Sequence, residues 1–190
     1  MRPFEFIIIF LSFIYTLALT HLLLAVVGMI RHRKNVILSF PHALWMACAF
    51  TLLGANWLAL WDFHHQQSLS LGVMTGGFAL VVVQYINCAL VAPDFDDGDP
   101  FDLRRFHAEA GKTYIFGFLA LLLTSIVANL GAAQFGGVAR WGEENFVVLV
   151  MSVPVILALL VQRNWVQVMA PLSLLVMVIS FTIFYYPVLE

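Results

Sequence analysis

The residues that could do chemistry inside the long apolar runs of this chain are one histidine and a few amides and hydroxyls. His21 follows Thr20 and interrupts the run LALTHLLLAVVGMI, while Gln84 shares a helical face with Asn87 and Cys88 in a later run. Histidine can exchange a proton near neutral pH, and amides can bind or pass a small polar solute. Polar side chains also link membrane helices by hydrogen bonds, so a purely structural interpretation stands beside the functional one.

Helical geometry predicts that these residues lie at similar depths. His21 precedes Ile30, the last apolar residue of its run, by nine positions, which places it about 14 Å from the end of that run. Half of a bilayer core is about 15 Å. The same arithmetic puts Gln84 about 12 Å from the end of its own run. We therefore predict a polar layer near the midplane, composed of His21, Thr20, Gln84, Asn87, Ser152 and Ser173.

Three roles are open for His21. It could be a structural histidine bonded to Gln84 or to a hydroxyl, a residue that titrates or lines a solute path, or a ligand of haem or metal. A haem would need a second axial histidine at the same depth, and the sequence places His42 at the edge of its run instead. No cofactor is therefore expected.

Composition indicates that membrane helices position this layer. Hydrophobic residues make up 62% of the chain and charged residues 11%, with a mean hydropathy of +0.94. Soluble domains have roughly 45–50% apolar and about 25% charged residues. The net charge of −2, without a basic face, argues against a nucleic-acid partner. The predicted partner is the lipid bilayer.

Six apolar segments approach the roughly 20 residues that a helix needs to cross a bilayer. They predict an all-α bundle in one domain, 1–190, with spans at 4–30, 41–61, 69–92, 113–133, 146–161 and 165–188. The Gly-rich stretch AQFGGVARWGEEN predicts a flexible loop between the fourth and fifth spans. The stretch PDFDDGDPFDLRRFHAEAGK predicts a solvated turn followed by a short interfacial helix at 101–110.

The basic residues predict the orientation of these spans. Lys and Arg are enriched on the cytoplasmic side of membrane proteins. Seven of the nine fall in the first, third and fifth connections, and only Arg2 and Arg140 fall on the other side. This bias predicts that both termini lie outside the cytoplasm, in the periplasm of a bacterium.

Small and aromatic residues predict where helices pack. Gly72 and Gly76 form the Gly-xxx-Gly spacing that lets two helix backbones approach closely, within one molecule or between copies. Trp45 and Trp57 are expected to pack or to face lipid. Cys48 is expected to be a buried thiol, like Cys88.

The sequence offers little for catalysis. It contains neither Gly-x-Ser-x-Gly nor His-Glu-x-x-His, so no catalytic residue is predicted. In the segment WDFHHQQ, the side chains of Asp62, His64 and His65 could bind a transition metal, although such a cluster is more often a polar loop after an aromatic anchor, and no metal is predicted.

The pattern LALTHLL, RHRK, FPHALWM and WLALWDF, followed by a third span and an acidic loop that runs into DLRRF, resembles small multi-pass inner-membrane proteins of proteobacteria. The resemblance covers the first three spans and the loop after them. That group has no assigned activity, so the resemblance implies a compartment and no mechanism. Two functions are left open: a non-enzymatic accessory or structural subunit, alone or as a homo-oligomer, or transport of protons or a small neutral solute.

Overall fold

The computed structural model describes the backbone of residues 3–64, 70–95 and 101–186. The side chains are described for 5–64, 70–95, 101–129, 142 and 145–186. The helices are α1 (Pro3–Arg31), α2 (Phe40–Ala59), α3 (Leu71–Val91), α4 (Leu103–Leu160) and α5 (Asn164–Tyr185), with a 3-10 turn at Leu60–Phe63 after α2. Two-residue strands, β1 (Val36–Ile37) and β2 (Phe101–Asp102), lie between them. The predicted all-α fold is confirmed.

Polar caps define where three of the helices begin. Ser39 accepts a hydrogen bond from the backbone N–H of His42, and a proline occupies the first turn of α2. Ser70 caps α3 in the same way, and the carboxylate of Asp102 accepts from the backbone N–H groups of Arg104 and Arg105 in the first turn of α4. Each cap satisfies N–H groups that a helix start would otherwise leave without a partner.

The long helix α4 reverses direction within its 58 residues. Asn129 and Asn145 are hydrogen-bonded at 3.4 Å, whereas in a straight helix residues 16 apart would be separated by about 24 Å. The arms Leu103–Asn129 and Asn145–Leu160 therefore fold back on each other. Two predictions are wrong here: the backbone of 133–145 is helical rather than a flexible loop, and residues 103–110 begin α4 rather than forming a separate interfacial helix.

The connections fall at two ends of the bundle. β1 pairs with β2 in parallel, with Val36 opposite Phe101, so the first and third connections meet at what we call the paired-loop end. At the opposite end, the Tyr186 hydroxyl donates to Asp62 at 3.2 Å. Ile7 and Leu60 line a common cavity there, so the start of α1 and the end of α5 lie at this terminal end.

The bundle has a packed interior and an apolar exterior. The interior is formed by the facing sides of all five helices. Large apolar side chains also cover the outside, for example Phe13 at 67% exposure and Phe184 at 79%. Such a surface suits lipid rather than water. Among the described residues, five helical segments are long and apolar enough to cross a membrane, and Asn145–Leu160 is a shorter apolar helix.

Candidate functional site

His21 lies against Tyr85 rather than Gln84. Its Nε2 is 3.3 Å from the Tyr85 hydroxyl, and the two rings meet edge to face at 5.5 Å. The half-buried imidazole therefore links α1 to α3 through a hydroxyl, which is the geometry of an interhelical hydrogen bond.

The hydroxyls of the predicted layer bond to their own helices. Thr20 donates to the carbonyl of Thr16, Ser152 to that of Val148, and Ser173 to that of Ala170. Inside helices, Ser and Thr hydroxyls often donate to a backbone carbonyl three or four residues earlier, and they then need no partner on another helix. These three residues are therefore not joined to His21 or Gln84.

Gln84, Asn87 and Cys88 form a buried stripe on one face of α3. Gln84 and Asn87 are fully buried, as is the Cys88 side chain. Gln84 accepts from the Asn56 amide at 2.8 Å and donates to the Cys88 sulfur at 3.4 Å. We call Gln84, Asn87, Cys88 and the carbonyl of Val91 the α3 polar stripe; it runs about 10 Å along the helix.

His42 closes this stripe at the paired-loop end. Its Nε2 lies 2.9 Å from the carbonyl oxygen of Val91, the last residue of α3. A carbonyl only accepts, so Nε2 carries the proton and Nδ1 is an acceptor. The bond satisfies a carbonyl that the end of a helix leaves free. Although His42 lies in the first turn of α2, its side chain is fully buried.

His42 and Asn87 both pack against one stretch of α4. The Tyr114 ring is 6.0 Å from the His42 ring and 6.4 Å from the Trp45 ring. One turn later, Gly117 leaves room for Asn87, because a Cβ at position 117 would lie 2.5 Å from the Asn87 Oδ1. Residues from α2, α3 and α4 therefore converge on the segment 114–118.

Several buried polar atoms here have no hydrogen-bond partner among the described residues. They are the Tyr15 hydroxyl, Nδ1 of His42, Nε1 of Trp45, and both amide atoms of Asn87. Leaving such a group unsatisfied costs about 1–3 kcal/mol. Ordered water is the usual partner of buried polar atoms that find none in the protein. The described interior therefore contains buried polar atoms whose hydrogen-bonding capacity is not met by the described residues.

A second histidine leads from this region toward the paired-loop end. His107 is half-buried one turn after the start of α4, and its Nδ1 is hydrogen-bonded to the Tyr114 hydroxyl. The Tyr114 ring in turn faces His42. Polar side chains therefore succeed one another from His107 through Tyr114 and His42 to the α3 polar stripe.

The described part of the WDFHHQQ segment is not arranged as a metal site. Asp62 accepts from Tyr186, and the His64 ring stacks on Trp61 at 4.4 Å. His65 lies outside the described residues. Within the described ranges, no group of three His, Cys, Asp or Glu residues is placed to hold a metal ion.

The two glycines of the predicted packing motif differ. Gly76 lies against Ala128 of α4, whereas a Cβ at Gly72 would meet, among the described atoms, only the Ser70 Oγ, at 3.7 Å. Of these two glycines, it is therefore Gly76 at which α3 closely approaches α4.

Sequence reasoning missed the role of His42, His107 and Tyr114. His42 and Tyr114 lie at the start of apolar runs and His107 lies in the charged connection before one, where polar residues are expected, so depth alone gives no reason to select them. The signal that could have found them is the occurrence of two histidines and a tyrosine at the same end of neighbouring spans. Comparison of the chain with protein-family models, curated proteins and solved structures finds no match.

Proposed function

We propose that this membrane protein conducts protons or a small neutral solute along the α3 polar stripe. The observation that carries the proposal is a set of buried polar atoms in and beside that stripe, including both amide atoms of Asn87, that have no hydrogen-bond partner within the described ranges. A bundle with only a structural role gains nothing from such atoms, because an apolar side chain of similar shape would be equally or more stable. Polar residues that are costly within a membrane commonly mark ion or solute paths.

The path has a definable course. It begins at His107 and Tyr114, passes His42 and the stripe, and reaches Asn56 through its bond to Gln84. His42 and Tyr114 can each take up and release a proton in exchange with water, whereas along the amides and the carbonyl of the stripe a proton would be carried by water molecules bound to them. His21 lies beside this course, on Tyr85, and is not part of it.

The decisive variant is Asn87→Leu, tested in proteoliposomes. Leu has a similar shape but no polar atoms, so we expect unchanged or higher thermal stability together with at least ~tenfold slower flux, equivalent to about 1.4 kcal/mol in the barrier. Proton flux is followed with an internal pH-sensitive dye, and glycerol or urea flux by osmotic swelling.

His21→Leu is the matched control for this experiment. It removes a polar residue at similar depth outside the path, so flux should persist while stability falls by about 0.6–2 kcal/mol. Wild-type vesicles that pass neither protons, glycerol nor urea would contradict the proposal. So would a folded Asn87→Leu protein with wild-type flux.

The membrane topology is part of the same proposal. We propose six crossings of a bacterial inner membrane, with Asn145–Leu160 as the shortest span and the terminal end in the periplasm. Support comes from the basic residues near the paired-loop end and from the position of α1 and α5 at the other end. A periplasm-dependent reporter fused after Glu190 should be active, and a cytoplasm-dependent one inactive. The opposite pattern would exclude this orientation.

The prediction of a non-enzymatic accessory or structural subunit, alone or as a homo-oligomer, stays a prediction. It and the proposed path differ in one measurable respect. A subunit without a path gives no flux in vesicles when purified alone.

A further inference from the structure

A cavity of about 130 Å³ lies between four helical segments at the terminal end of the bundle. Its walls come from α1, α2 with the turn after it, α3, and the first arm of α4. Most of the lining is apolar, as at Leu11, Phe63 and Leu80, and it includes the amides Asn56 and Asn129.

The two amides retain hydrogen-bonding groups for a ligand. Asn56 uses an amide N–H to reach Gln84, and Asn129 uses one to reach Asn145. An amide has two N–H donors and a carbonyl acceptor, so neither bond uses the carbonyl oxygen or the second N–H. A hydroxyl, which both donates and accepts, can satisfy either amide.

We infer that this cavity binds a small neutral molecule, mainly apolar and carrying one hydroxyl, with phenol as the simplest example. An apolar cavity of roughly 150 Å³ accommodates benzene, so the volume fits a single ring. None of the described residues that line the cavity is charged, and burying an unpaired ion among them would be costly, so we infer a neutral ligand. The amides favour a ligand with a polar group over a plain hydrocarbon.

The cavity is distinct in function from the proposed path, although Asn56 connects the two. Binding in the cavity requires no flux, and flux along the stripe requires no ligand. A binding assay therefore tests this inference even if the path is inactive.

The test uses 4-fluorophenol and fluorobenzene with the purified protein in detergent, followed by fluorine NMR. We expect saturable binding of 4-fluorophenol to wild type and about fivefold weaker binding of fluorobenzene, which lacks the hydroxyl. Partition into micelles rises in proportion to the probe concentration and does not saturate, so it is separated from saturable binding at the site.

Two glycines provide a matched pair of variants. Gly77 lines the cavity, and a Cβ added there would have no described atom within 4 Å. The same holds for a Cβ added at Gly54, but Gly54 is exposed and does not line the cavity. We expect Gly77→Leu to weaken 4-fluorophenol binding at least ~tenfold by filling the cavity, with Gly54→Leu at wild-type affinity. Ala59→Leu, a second lining position, provides the same test if Gly77→Leu does not fold.

Three outcomes would overturn the inference. The first is the absence of saturable binding to wild type, as expected if lipid chains fill the cavity. The second is equal binding to wild type and to both folded cavity-filling variants. The third is equal affinity for the two probes, which would show that the amides do not contact the ligand.

Discussion

Trp45→Ala is expected to lower the free energy of unfolding by about 3 kcal/mol. Trp45 is the largest of the fully buried side chains, and its ring lies 4.9 Å from that of Phe118 and 6.4 Å from that of Tyr114. Truncation would remove these contacts and leave a cavity at the centre of the bundle. Lipid is as apolar as the protein interior, so lost packing rather than transfer from water produces the effect.

Trp57→Ala is the control for this prediction, and Trp45→Phe separates packing from hydrogen bonding. Trp57 lies on the same helix but is 52% exposed, so its truncation should change stability by less than about 0.5 kcal/mol. Trp45→Phe keeps an aromatic ring and removes an indole N–H that has no described partner. It should therefore lower the free energy of unfolding by less than about 1.5 kcal/mol. Thermal or denaturant unfolding in detergent measures all three. Equal losses for Trp45→Ala and Trp57→Ala would show that position 45 is not a packing centre.

Gly76→Leu is expected to destabilise the contact between α3 and α4 by about 3 kcal/mol. A Cβ at position 76 would lie 3.1 Å from the Ala128 Cα and 3.4 Å from its Cβ. The Ala128 backbone cannot move aside as a flexible side chain can, so a larger residue must push the two helices apart. The melting temperature should fall and the protein should become more sensitive to detergent.

Gly72→Leu is the matched control, since Gly72 is exposed and one helical turn away on the same face. Among the described atoms, the nearest to a Cβ at position 72 is the Ser70 Oγ at 3.7 Å, so we expect a leucine there to fit without displacing a helix. We expect a stability within about 0.5 kcal/mol of wild type. Unchanged stability of the Gly76→Leu protein would contradict the packing that the structure describes.

The amino-acid sequence predicted the elements of this protein well, because apolar runs and their caps are local signals. The bounds of α1, α2, α3 and α5 lie within a few residues of the predicted segments. The helical spacing of Gln84, Asn87 and Cys88 also predicted one shared face, and that face is buried. The loop prediction at 133–145 relied on the local turn preference of glycine, and the structure has helix there instead.

Only the tertiary structure decided which polar groups meet. The depth of His21 was derived from its own helix, but its partner depends on the rotation and register of α3, which place Tyr85 rather than Gln84 against it. His42 became an interior residue because the end of α3 packs over it. These registers are set by close approaches between segments distant in sequence, such as Gly76 with Ala128 and Asn87 with Gly117. A local pattern fixes the face on which a side chain lies, while the packing of helices determines what it touches.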